Sequence, residues 1–289
     1  MTKSDSLNPS SVLGREALEA RLRLVAGQAD PEIEPAVCAL LLAALDRPRV
    51  PLERYRHHLS QLVRDTADLG AELGAATSLE ARLQALHQVI VERHGYGGDE
   101  RTYEDLQNAN LMRVIDRRKG LPVSLGLLYI HAARGQGWPI DGLAFPGHFL
   151  LRLELDGARE ILDPFHGRRR QPADLRELLK SMAGPEAELR PEHTTPVGNR
   201  DILLRLQNNI KLRLLRDERP EAALKVIESM LLFAPDHGPS WHEAGLLHAN
   251  LGNLRAAILG LEHCLELGAD TKTLHEAVRV LQEIKARLN

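Results

Sequence analysis

Three side chains in the middle of this 289-residue sequence have the types and settings that acyl-transfer chemistry needs. Ser124 follows Gly120, a chain breaker, and Pro122, which fits a first helical turn, so its hydroxyl falls in the opening turn of a helix predicted over 122–134. His148 opens a predicted strand and Asp163 closes the next one, with Asp156-Gly157 as the hairpin turn between them. His148 lies eight residues before that turn and Asp163 six after it, so folding the hairpin brings the two ends level. A serine at a helix start with a histidine and a carboxylate on neighbouring strands makes a nucleophile, base and orienter set, with Ser124, His148 and Asp163 in those roles. The competing reading is structural, because serine is favoured at helix starts, where its hydroxyl satisfies a free backbone N–H. Upstream, Asn108 and Asn110 offer side-chain amides either to an oxyanion hole or to loop backbone.

The elements that must position these groups follow from the same stretch. Val123, Leu125, Leu127, Leu128 and Ile130 leave the 122–134 helix apolar almost all round, which marks it as buried, and Gly135 and Gly137 end it. His131, two turns along from Ser124, reads as a satisfied core histidine. His166, three residues past Asp163, either faces the same cleft or is an ordinary loop histidine. Arg117-Arg118-Lys119 and Arg168-Arg169-Arg170 flank the motif, and such triplets either steer an acidic partner or are solvated loop charge.

Asn108, Leu111, Val114, Arg117-Arg118, Gly120, Pro122-Val123-Ser124-Leu125, Pro146-Gly147-His148-Phe149 and Leu162-Asp163-Pro164-Phe165 together resemble the transglutaminase-like core of the bacterial SirB family. The resemblance implies membership of the wider transglutaminase and papain-like superfamily, with a cysteine at the start of a buried helix and a histidine and an aspartate on successive strands. Carried over by motif, Ser124 stands at the cysteine position, His148 at the histidine and Asp163 at the aspartate. The serine is a departure with chemical consequences. A helix N-terminus brings a thiol into the thiolate range, whereas a hydroxyl starts far higher and depends on a well-placed base.

The chain carries a net charge of -3, which gives no general attraction to nucleic acid or anionic membrane. Cys38 and Cys264 sit far apart in helical patterns as small core residues, without metal-ligand spacing or a disulfide framework. No phosphate-cradling glycine loop is present, so no cofactor is expected, and His57, His58, His87 and His94 read as surface histidines rather than metal ligands. The opening residues lack a secretory apolar segment and the run 36–45 is too short to span a bilayer, so a cytoplasmic protein is expected.

The expected fold is α+β and mostly helical. Residues 1–11 form a disordered tail, 12–94 an N-terminal helical region, 95–182 the transglutaminase-like core with a small antiparallel sheet, and 183–199 a linker rich in Pro, Gly, Glu and Thr. In the N-terminal region Asp30-Pro31, Pro51 and Ser78 each start a helix. The glycine-rich segment 95–99 reads as a connection into the core. Over 200–289 a period of 34 matches Ala222 with Ala256, Ala223 with Ala257, Glu228 with Glu262 and Leu231 with Leu265. That is the period of the tetratricopeptide repeat, with Trp241, Gly245 and Gly252 at its tryptophan and glycine positions and a capping helix expected over 274–288.

Two functions follow. One is a protein-interaction or regulatory module that holds a protein or peptide through the C-terminal repeats. The other is a serine-dependent amide or acyl hydrolase, or acyltransferase, using Ser124, His148 and Asp163.

Overall fold

The computed structural model describes residues 12–288. The tail expected over residues 1–11 lies outside them. By contact the chain forms two units. Of the described residues, one comprises those up to Leu18 and Ala29–Leu203, and the other Glu19–Gln28 and those from Leu204 onward.

The helix α1 (Arg15–Ala26) belongs to the first unit up to Leu18 and to the other from Glu19, and in the first unit α2 (Pro35–Leu45), α3 (Glu53–Glu72) and α4 (Leu79–His87) precede a short parallel pair of strands, β1 (Gly97–Gly98) and β2 (Lys119–Gly120). Between those strands lies α5 (Leu111–Arg117), and after them the central α6 (Pro122–Arg134). Eleven of the thirteen residues of α6 are buried, as its apolar pattern requires, and α2 and α3 pack on it.

The sheet that faces α6 has the order β6-β5-β4-β3-β7. Its strands are β3 (Ile140–Leu143), β4 (Leu151–Leu155), β5 (Ala158–Asp163), β6 (Arg168–Arg170) and, beyond α7 (Pro172–Ala183), β7 (Pro196–Val197). All its pairings are antiparallel. The β4–β5 hairpin closes at Leu155↔Ala158 with Asp156 and Gly157 both at positive φ, the backbone that an Asp-Gly turn of this kind needs. Gly126 and Gly142 let Phe149 lie against both helix and sheet. A Cβ on either would come within 2.5 Å and 2.8 Å of its ring.

Two segments that read as connections contain strands. Gly97–Gly98 pairs with β2, and a Cβ on Gly98 would stand 2.5 Å from the Phe165 ring. Within 183–199, β7 adds a strand beside β3. Asp30–Glu32 forms a single 3-10 turn rather than the start of a long helix, and α2 begins at Pro35. The Asp30 carboxylate instead accepts the N–H groups of Asn199 (2.7 Å) and Arg200 (2.9 Å) at the first turn of the helix there.

That helix, α8 (Asn199–Arg216), leads into the second unit, followed by α9 (Pro220–Phe233), α10 (Gly238–Asn250), α11 (Leu254–Leu267) and α12 (Thr271–Leu288). α9 and α11 start and end at the predicted spacing of 34, and Ala223 and Ala257 are wholly buried at equivalent positions. The α10–α11 pair crosses closely at Gly245 and Gly260. Trp241 donates its indole N–H to the Pro235 carbonyl at 2.6 Å and meets His263 edge-on. Among the described residues no helix is long and apolar enough to cross a membrane.

Candidate functional site

The hairpin and the loop before it bring His148 and Asp163 together. The β4–β5 register sets Leu151 opposite Leu162, so Asp163 ends its strand beside the approach of the chain into β4. His148 lies in the turn ahead of that strand rather than inside it, and its Nε2 comes within 3.1 Å of Asp163 Oδ1. An ionised Asp163 can only accept, so Nε2 is the donor in this contact.

Asp163 is wholly buried and holds more than one partner. Its Oδ1 also accepts the Phe165 N–H at 3.0 Å, while Oδ2 receives Arg170 Nε (3.0 Å) and Nη2 (2.6 Å) and meets His166 Nδ1 at 2.8 Å. Burial by itself raises this carboxyl, but the hydrogen bond and charge of His148, followed by Arg170 and His166, hold it well below the usual carboxylate range. His166 therefore does face the site, with its ring stacked 6.4 Å from that of His148. Arg170, for which the sequence offered partner steering or loop charge, is instead a member of the site. The signal was the strand register, because Asp163 pairs with Arg168 and Ile161 with Arg170, which puts Asp163 and Arg170 on one face of the sheet.

Ser124 sits at the predicted place, the third residue of α6, and is wholly buried. Its hydroxyl is directed at backbone, 2.7 Å from the Asn108 carbonyl and 3.0 Å from that of Leu121, and one proton serves both. A Cβ on Gly120 would lie 2.7 Å from the same oxygen, so the hydroxyl is packed as well as bonded. The two asparagines proposed for an oxyanion hole also spend their amides on the chain. Asn108 donates to the Thr102 carbonyl at 2.6 Å and accepts from Arg117 at 2.8 Å. Asn110 caps α5 through the Arg113 N–H (3.2 Å) and donates to the Ala43 carbonyl (3.2 Å).

Residues 53–208, more than half of the chain, match the transglutaminase-like superfamily, and residues 210–287 match the tetratricopeptide repeat. The chain belongs to the transglutaminase-like superfamily. It is 34% identical to a UPF0162 protein of Vibrio cholerae over 233 residues, covering 78% of this chain and 84% of that one. A UPF0162 protein of Pseudomonas aeruginosa is likewise 34% identical over 233 residues, covering 80% and 84%. Protein SirB1 of Salmonella typhimurium is 27% identical over 196 residues, covering 68% and 73%.

Within this transglutaminase-like core the ligand atoms of His148, Asp163 and His166 lie within 4.8 Å of one another, a spacing that two imidazoles and a carboxylate could offer to a metal ion. Arg170 opposes that use, since its guanidinium already lies on the carboxylate oxygen nearest His166 and 3.1 Å from the His166 ring nitrogen. Tyr129, also on α6, has a buried hydroxyl without a hydrogen-bond partner among the described residues, and burial together with the Asp163 charge keeps it protonated.

The remaining histidines differ from expectation. Of the four expected at the surface, His57 is exposed, while His58, His87 and His94 are half-buried. His58 meets the Tyr96 hydroxyl at 2.7 Å and Arg118 at 2.8 Å, and burial, then the Arg118 charge, pull it down to about 4. His94 meets Asp65 at 2.6 Å, and His87 meets the Gly167 carbonyl at 2.7 Å. His131 is half-buried rather than in the core, and with Ile33, Glu34, Ile130 and Arg134 it lines a cavity of about 300 Å³. Both cysteines are buried, and burial pushes the Cys38 thiol up to about 11.

Proposed function

We propose that this protein acts as a regulatory, protein-binding module whose transglutaminase-like core is a scaffold and whose repeats hold a protein or peptide partner. The observation that carries the reading is Ser124. Its buried hydroxyl gives its proton to backbone carbonyls, and a nucleophile needs that proton taken by a base and an open path to substrate. Arg170 points the same way, because a carboxylate already neutralised by a guanidinium stabilises an imidazolium less well. Two buried, unpaired cysteines suit a reducing, cytoplasmic setting.

The first helices of successive repeat pairs are bridged by charge. Lys211 of α8 pairs with Glu243 of α10, and His242 of α10 lies 3.7 Å from Glu276 of α12. Glu276 is the more exposed end of the second contact, so reversing its charge changes the surface with little effect on the fold. Full-length Glu276→Lys is expected to lose partners that the unaltered chain retains in a cross-linking and mass-spectrometry comparison, at unchanged thermal midpoint. A partner set identical for both proteins would remove the repeats from the reading.

The hydrolase or acyltransferase alternative rests on the His148–Asp163 contact. It requires Ser124 to rotate off Asn108 and meet His148, which would then act as base with Asp163 as orienter. Ser124→Ala separates the two readings. The scaffold reading expects a stability loss of about 1 kcal/mol from the missing hydrogen bond and no change in turnover of acyl esters or amides. Turnover that disappears in Ser124→Ala at intact fold would establish the enzyme instead.

A further inference from the structure

The surface around His148 carries an apolar arc that neither reading of the triad uses. Among the described residues from 29 to 203, Tyr103 and Met182 are the large hydrophobic side chains left exposed, at 39% and 50%, and both border this site. Tyr103 packs edge-on against Phe165 with ring centroids 5.7 Å apart, and Phe165 lies 6.4 Å from the His148 ring and 5.1 Å from that of His166. On the other side Met182 covers Gly147, the residue before His148. Its Cβ, Cγ and Sδ each come within 3.2 Å of the position a Gly147 Cβ would take. Two exposed large apolar side chains that both border one histidine pair present an interaction site rather than scattered exposure.

Charge at the same place narrows the partner. Arg168, Arg170 and Asp163 share one face of the sheet by register. Arg170 is bonded to Asp163, and Arg169, on the opposite face, to Glu80 and Glu160. Arg168 is exposed and makes no ion pair among the described residues. An uncommitted cation beside an apolar arc attracts a segment with a carboxylate next to an apolar side chain.

We propose that this arc seats a short acidic peptide segment, with one aromatic or long aliphatic side chain packed between Tyr103 and Met182 over His148 and a neighbouring carboxylate on Arg168. The site is a second contact surface, separate from the repeats, and it needs no active triad.

The test titrates the full chain with an end-blocked Gly-Glu-Phe-Glu-Gly peptide by calorimetry, beside the same peptide with Phe replaced by Gly. Saturable binding is expected for the first, about tenfold weaker binding for the second, and weakening with added salt. Tyr103→Ser, Met182→Ser and Arg168→Glu are each expected to weaken the Phe peptide by about tenfold. All three are surface changes, and the peptide pair gives the same answer without altering the protein. Absence of saturable binding overturns the proposal, and so does binding indifferent to the Phe or to all three variants. Neither result touches the reading of the repeats, which stands or falls on Glu276→Lys.

Discussion

Asp163→Ala lowers the stability of the first unit by about 3–5 kcal/mol, the cost of leaving a buried charge without its partner. The carboxylate is wholly buried and is bonded to His148, His166, the Phe165 N–H and both Nε and Nη2 of Arg170. Its removal strands Arg170, whose side chain is 9% exposed, and frees the loop that carries Phe165. Asp163→Asn keeps the shape and one acceptor oxygen, so it costs less, but it removes the charge that Arg170 answers. Urea unfolding at neutral pH measures both. The pH dependence distinguishes charge from shape. Because the folded-state carboxyl is held below its unfolded value of about 3.9, its contribution is complete above roughly pH 4 and falls away as pH drops through the folded value. The stability gap between the unaltered chain and Asp163→Asn therefore narrows as pH falls below that value. A gap that stays flat into acid would mean that packing, and not the charge, accounts for the loss.

How much of this site could be read from the sequence depended on the range of the interactions. The bounds of α6 are legible because Pro122 and Gly135 mark them locally, and the β4–β5 turn because Asp156-Gly157 tolerates positive φ. Hairpin counting alone placed His148 near Asp163. Sequence reasoning did not reach the partners that arrive from elsewhere in the chain. The acceptor of the Ser124 hydroxyl is a carbonyl sixteen residues upstream, and nothing in the types of Asn108 or Ser124 encodes that contact. The bond from Arg170 to Asp163 is not legible because β6 is only three residues long, too short to show alternation. Asp30-Pro31 carries a helix-start signal, yet the Asp30 carboxylate caps a helix that begins at Asn199, so the capping chemistry is local and its target is not. Gly97-Gly98 reads as a connection whose glycines admit turns, whereas the Phe165 ring lies where a side chain on Gly98 would be. In each case a tertiary contact decided between two locally acceptable roles.

The repeats allow the converse test, since there the sequence signal and the close contact coincide. Gly245→Val is expected to destabilise the second unit by about 2–3 kcal/mol, the upper part of the range for overpacking. A Cβ at this position meets Leu261 Cγ at 2.7 Å, Cδ2 at 2.8 Å and the Leu261 backbone nitrogen at 3.1 Å. The leucine side chain can turn aside, but the backbone nitrogen cannot, so α10 and α11 must separate. From the facing helix, a Cβ on Gly260 would meet the Gly245 backbone at 3.3 Å, so both helices have shed their side chains at the crossing. Replacing a mid-helix glycine by itself returns a few tenths of a kcal/mol to about 1 kcal/mol of helix propensity, which is smaller than the clash. Separation also loosens the apolar cluster of Ala257, Leu261, Ala277, Leu281 and Ile284, through which α12 packs on α11. The destabilisation should therefore extend to the last helix and appear as early hydrogen exchange across α10, α11 and α12 together. Gly252→Ala is the control. It lies in the turn after α10 at φ +79 with nothing within 4 Å of a Cβ, so its cost is that of a strained backbone alone, with exchange in α12 unchanged. Equal effects from the two substitutions would mean that turn conformation, rather than close helix approach, is what the repeat's glycines protect.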